Sequence, residues 1–259
     1  MPDSLRGAYR RRFHELTTWP KVILVAAVVA ALATIPNVTR ADECPTTPYL
    51  PSSDGSQPAN LGVLKLQLLD YKCLGAYDRD VASVLREAKA YVEHRANGAT
   101  KLALVLDIDE TSLSNWPDLL ASDFGFFVNG TCTLVPQEPC GFDHWIADHT
   151  AEAIRPTLDL FNAAKAKGVA IFFISNRRED QRSATVNNLK AAGYEGWTDL
   201  FLKQPDDKSS IREFKTASRK QIEDGSFTII ANVGDQYSDL AGGHAERTFR
   251  VPNPFYFIP

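Results

Sequence analysis

The chain has 259 residues, of which 44% are hydrophobic, 23% charged and 10% aromatic. This is ordinary globular composition, and it excludes a disordered, collagen-like or multi-span membrane chain. With 28 basic against 32 acidic residues the net charge is −4, which disfavours a nucleic-acid polymer held by phosphate neutralisation.

The charge is uneven. Up to Ala41 there are six basic and two acidic residues, so the head carries +4 and the remainder −8. The head precedes an apolar run of 14 residues, Val22 to Ile35. A membrane-spanning helix needs about 20 residues, whereas the apolar part of a secretory signal takes roughly 7–15. Thr39-Arg40-Ala41 offers a cleavage site before Asp42. Residues 1–41 therefore read as a signal peptide, and the expected location is secreted or periplasmic, with no membrane span after cleavage. An uncleaved anchor is the alternative. The run is not followed by a cysteine suited to lipidation, and Arg10–Phe13 (RRRF) is a weak sign of twin-arginine export.

Cys44, Cys73, Cys132 and Cys140 all follow the cleavage site. An even count in an exported chain suggests disulfides. Three pairings are possible; a Cys132–Cys140 loop clamp with Cys44–Cys73 is the simplest. A zinc site is not expected, since no CxxC occurs.

Residues 42–60 are rich in Pro, Ser, Thr and Gly and read as an extended leader. Helical spacing of apolar residues follows over 61–75 and 78–95, ending at Asn97-Gly98. Three continuous apolar runs then read as strands: Leu102–Leu106, Val169–Ser175 and Phe227–Asp235. Strands buried on both faces are the habit of parallel sheets flanked by helices. Helical patterns over 155–167, 179–192 and 209–224 lie between them. The alternation predicts an α/β fold with a central parallel sheet, occupying 61–259. Residues 112–150 break the pattern and read as a small cap inserted after the first of these strands. Phe124, Phe126, Phe127 and Trp145 lie in this insertion, either packing it or stacking on a substrate ring. His144 and His149 flank Trp145 and fit either a substrate contact or a surface helix.

All three runs end in polar residues, where sites form in parallel sheets. Asp107 and Asp109 (DIDET) lie two apart after the first run, so both carboxylates can reach one site. Ser175, Asn176 and Arg177 (FFISNR) follow the second; a hydroxyl and successive N–H groups at a helix start would bind an anion. Asp235 and Asp239 (GDQYSDL) follow the third. Each motif alone is also explained by helix capping. Together, the acids must repel unless a cation offsets them or one takes a proton. Hard oxygen donors suit Mg²⁺. Lys208, Lys215, Arg219 and Lys220 could supply the basic group that holds a phosphate.

DIDET, FFISNR, FKTASRK and GDQYSDL, in that order, resemble the four motifs of the haloacid dehalogenase (HAD) superfamily. More narrowly they resemble its subfamily IIIB acid phosphatases, which include class C bacterial acid phosphatases and plant relatives of vegetative storage proteins. The stretch Gln181–Lys203 and the ending Phe249–Pro259 share the likeness. The resemblance implies a HAD-like Rossmannoid sheet and a Mg²⁺-dependent phosphatase acting on small phosphate monoesters, broad or nucleotide-like. It implies Asp107 as nucleophile and Asp109 as general acid/base whose carbonyl also contacts the metal. It implies Thr111 fixing the loop, Ser175 and Asn176 at the phosphate, Lys215 (or its rival Lys208) neutralising charge, and Asp235 and Asp239 at Mg²⁺. A non-catalytic storage or phosphate-binding protein on the same fold, or a phosphotransferase, is the alternative.

Overall fold

The computed structural model describes residues 59–98, 100–128, 141–148 and 150–258. The expected signal, most of the leader, Cys44, Cys132, Cys140 and His149 lie outside the described residues. So does the cysteine pairing that was expected from them.

Two helices come first, α1 (Leu61–Cys73) and α2 (Ala76–Arg95). The central strand β1 (Leu102–Leu106) follows, then β2 (Leu113–Ser114), α3 (Trp116–Ala121), α4 (Phe142–Asp148) and β3 (Glu152–Ala153). Next come α5 (Arg155–Ala166), β4 (Ala170–Arg178), a 3-10 turn (Glu179–Gln181), α6 (Arg182–Ala191) and β5 (Asp199–Lys203). The chain ends with α7 (Ile211–Asp224), β6 (Thr228–Gly234), α8 (Tyr237–Leu240) and β7 (Arg247–Arg250). The five-stranded sheet has the order β5-β4-β1-β6-β7, and every pairing is parallel.

Both faces of β1 are covered, which is why it reads as unbroken apolar sequence. Leu102, Leu104 and Leu106 join the core with Val81, Leu85, Ala88 and Val92 of α2 and Phe161 of α5. Ala103 and Val105 join Phe172, Ile174 and Ile229 against Ile222 of α7 on the other face. The α2 residues recur every three or four positions, one stripe of a helix.

Helix α7 is different: its buried stripe is Lys215, Ser218, Arg219 and Ile222. Its start is fixed by a capping box. Ser210 Oγ accepts the Glu213 N–H (3.2 Å), and Glu213 Oε2 accepts the Ser210 N–H (2.8 Å). Such a cap is worth about 1 kcal/mol, and it sets which turn of α7 carries Lys215.

The strand order runs outward from β1 through β4 and β5, then returns to the other side with β6 and β7. The order therefore reverses between β1 and β6, and such switch points place ligands at the carboxyl ends of the strands. The Asp107 N–H donates to the Val233 carbonyl at 3.0 Å, tying the two ends together. Beyond β1, the antiparallel pair β2–β3 (Leu113 with Ala153, Ser114 with Glu152) draws together the two ends of the segment holding α3 and α4.

Candidate active site

Three carboxylates meet at the switch point. Asp107 follows β1; Asp235 and Asp239 follow β6. Their oxygens lie within 4.8 Å of one another, and all three residues are buried. The Lys215 ammonium reaches in from α7, donating to Asp107 Oδ1 at 2.5 Å and to Asp239 Oδ1. Gly234 makes the approach possible, because a Cβ there would stand 2.4 Å from the Asp239 Cβ.

Burial dominates the electrostatics. It pushes the Asp107 carboxyl well above the usual range; Lys215 opposes this, while Asp239, Asp235 and Asp109 add to it. Asp235 is pushed up to about 7 by burial and then by Asp239. For Lys215, burial alone would lower the pKa, but the two facing carboxylates outweigh it and the ammonium stays charged.

Asp235 is held by three donors: Thr111 Oγ1 (3.2 Å), Gln236 Nε2 (2.6 Å) and Asn253 Nδ2 (2.7 Å). The buried Arg219 guanidinium donates to the carbonyls of Asp239 (2.6 Å), Ala241 and Gly243 (2.9 Å), fixing the loop behind the cluster. Arg219 thus serves the loop rather than a phosphate. Lys220 is exposed and pairs with Asp224 (2.6 Å), and Lys208 is exposed on the loop before α7. Among the four basic candidates, Lys215 is the one at the carboxylates.

Asp109 faces a second set of donors. Arg177 Nη2 donates to Asp109 Oδ1 at 2.7 Å, Arg177 Nε donates to both oxygens (3.1 and 3.2 Å), and Asn115 Nδ2 donates at 2.9 Å. Burial alone would raise the Asp109 pKa; the Arg177 charge and hydrogen bonds, with Asn115, overcome it and hold the carboxyl below its ordinary value. The Ser175 hydroxyl accepts the Arg177 N–H (3.2 Å) and donates to Asp109 Oδ2 at 3.5 Å.

Here the structure departs from the expected strand end. Strand β4 continues past Ser175 to Arg178 rather than giving way to a helix. Its register with β5 shifts between Ser175 and Arg178. This bulge, a common device beside sites, leaves Ser175 and Arg177 pointing inward and buried, and Asn176 outward and exposed. Asn176 therefore lies apart from the buried set, lining the cavity above Asp109. Sequence reasoning gave Arg177 no role. The signal was available: two residues after Ser175 in extended chain, it shares the side of Ser175.

The turn between Asp109 and Thr111 is strained, since Glu110 sits at φ 54°. It persists because the Glu110 carboxylate accepts the Asn115 N–H (2.6 Å), Asn115 Nδ2 (3.0 Å) and the Tyr256 hydroxyl (2.7 Å). Burial pushes the Glu110 carboxyl up to about 7. Trp145 is buried, donating to Asn115 Oδ1 at 2.7 Å, whereas His144 and Phe126 are exposed.

The description of one protein family matches residues 62–259: HAD superfamily, subfamily IIIB (acid phosphatase). The chain belongs to this subfamily. The chain is similar to the Stem 28 kDa glycoprotein of Glycine max, 38% identical over 162 residues, or 61% of this chain and 61% of that protein. Acid phosphatase 1 of Solanum lycopersicum is 35% identical over 60% of this chain and 58% of its own length. The matches thus span about three fifths of these relatives. Among solved structures, the class C acid phosphatase from Bacillus anthracis superimposes with a TM-score of 0.59 at 25% identity, covering 75% of this chain and 85% of that one. The subfamily's fold is the one described above, a parallel sheet flanked by helices.

Proposed function

We propose that this chain is an acid phosphatase that hydrolyses small phosphate monoesters through an aspartyl-phosphate, with Mg²⁺ as cofactor. The observation that carries the reading is the convergence of Lys215, Asp235 and Asp239 on Asp107 from three separate elements. The donor set fits a hard divalent cation. Three carboxylates against one ammonium leave two negative charges in a buried site, and a cation offsets them without protonation. Asp107, Asp235, Asp239 and the Asp109 carbonyl would hold Mg²⁺, which when bound screens the repulsion between carboxylate and phosphate.

In this reading Asp107 Oδ attacks phosphorus and the bond to the leaving alcohol breaks. Lys215 and the Ser175 hydroxyl hold charge on the phosphoryl oxygens, with Asn176 at the mouth. Asp109 donates a proton to the leaving oxygen, then accepts one from the water that attacks phosphorus. The acyl-phosphate bond breaks, freeing phosphate and restoring the Asp107 carboxylate. Arg177 keeps Asp109 ionised at rest. An arriving phosphate dianion adds negative charge beside it and favours the protonated form that the first step needs. Residues 1–41 as a signal place the protein outside the cytoplasm; among the described residues no helix is long and apolar enough to cross a membrane.

Turnover of p-nitrophenyl phosphate with and without EDTA tests the reading. Metal-dependent release, abolished in Asp107→Asn, is expected. Equal turnover in chelator or in the variant contradicts it. Metal and phosphate binding without turnover would favour the storage role, and phosphate passed to an added alcohol would favour a phosphotransferase.

A further inference from the structure

A cavity of about 510 Å³ opens over Asp109 and Arg177. Its walls are largely apolar, with Leu119, Phe124, Phe126 and Phe142 among them. One wall residue does not fit. Asp118, in the first turn of α3, is 7% exposed, and its Oδ1 is buried with no hydrogen-bond partner among the described residues. Two polar residues that line the cavity do not serve it: Arg178 and Gln181 both donate to Asp143 (3.0 and 2.8 Å). Burial, and then Asp109, pushes the Asp118 carboxyl up to about 6. A buried acceptor without a donor is costly, and such orphans in native proteins call for an explanation.

We propose that Asp118 is the specificity-determining acceptor of a leaving-group subsite. It takes a hydrogen bond from a hydroxyl or protonated amine on an apolar, ring-bearing alcohol whose phosphate is at Asp107. The aromatic walls suit the ring. An ionised carboxylate can only accept, so the complementary substrate carries a donor. A site with a polar group waiting for a partner discriminates strongly against the analogue that lacks it. The inference rests on the phosphatase reading for the position of the phosphate.

The test compares para-(aminomethyl)phenyl phosphate with para-ethylphenyl phosphate, a pair matched in size. In the wild type kcat/KM should favour the amine by about tenfold or more. Asp118→Leu should abolish or reverse the preference. Asp118→Asn retains the shape and an acceptor oxygen; it should weaken the preference for the amine and keep that for para-(hydroxymethyl)phenyl phosphate. Equal kcat/KM for the wild-type pair, or an amine preference unchanged in both variants, overturns the proposal. Calorimetric titration with the corresponding benzylphosphonates gives the same comparison without turnover. An active enzyme that fails to discriminate sinks the subsite alone. An inert protein that still discriminates the phosphonates supports the subsite and contradicts the phosphatase reading. An inert protein that does not discriminate contradicts both.

Discussion

Replacing Lys215 with Met removes one charge and little volume from the centre of the site. The Lys215 side chain is 5% exposed, and its partners Asp107 and Asp239 are 8% and 4% exposed. Breaking a buried pair by deleting one partner costs about 3–5 kcal/mol, because the remaining charge has no compensation. For a domain of this size that corresponds to a drop in Tm of roughly 6–20 °C. The lysine is charged throughout the neutral range, so the loss is present at any pH near 7. The variant should regain stability as pH falls, because Asp107 and Asp235 have raised pKa values. A carboxyl raised in the folded state stabilises below its unfolded pKa and loses that contribution as pH rises through the folded one. A divalent cation should also restore stability, by about 2.7 kcal/mol at a hundredfold excess over Kd. Turnover at saturating Mg²⁺ should fall by about 10²–10³, the usual loss when a group facing developing charge is removed. Thermal melts by circular dichroism in EDTA and in Mg²⁺, with p-nitrophenyl phosphate kinetics, read all of these. An unchanged melt in EDTA together with full turnover would refute the reasoning.

Three further outcomes are expected. Arg177→Lys keeps charge but loses the fork that grips Asp109; the Asp109 pKa rises, and because the first step needs its protonated form, the basic limb of the pH–rate profile moves to higher pH. Gly234→Ala drives a methyl to 2.4 Å from the Asp239 Cβ, so calorimetry should show Mg²⁺ affinity falling by about 10–100-fold and stability by about 1–3 kcal/mol. For Asp118 the raised pKa means wild-type stability is lost as pH climbs through about 6. Asp118→Asn should therefore be more stable by about 1–2 kcal/mol at pH 7.5, allowing for screening, with the difference vanishing near pH 4 in denaturant titrations.

How much of this was legible in the sequence depends on the length scale of each signal. Strand β1 and its two aspartates were legible because burial on both faces leaves an unbroken apolar run. The edge strands β5 and β7 were not expected. Each is short and carries charge at its ends, Asp199 and Lys203 or Arg247 and Arg250, as exposed edges do, so neither run stands out from a loop. The carboxylates, Ser175 and Lys215 carried their chemistry in their types and order. Arg177 was hidden because its partner, Asp109, is 68 residues away. Asn253 and Tyr256 lie in the family-like ending, but nothing local marked their roles. They sit in a tail without regular structure, and only the fold brings them to Asp235 and Glu110.

The most direct measurement is acid quenching of the protein during turnover of a phosphate monoester, followed by peptide mass spectrometry. Wild type should carry one phosphoryl group on the peptide containing Asp107, and Asp107→Asn should carry none. A phosphoryl group on any other residue, or its persistence on that peptide in the variant, would contradict the account.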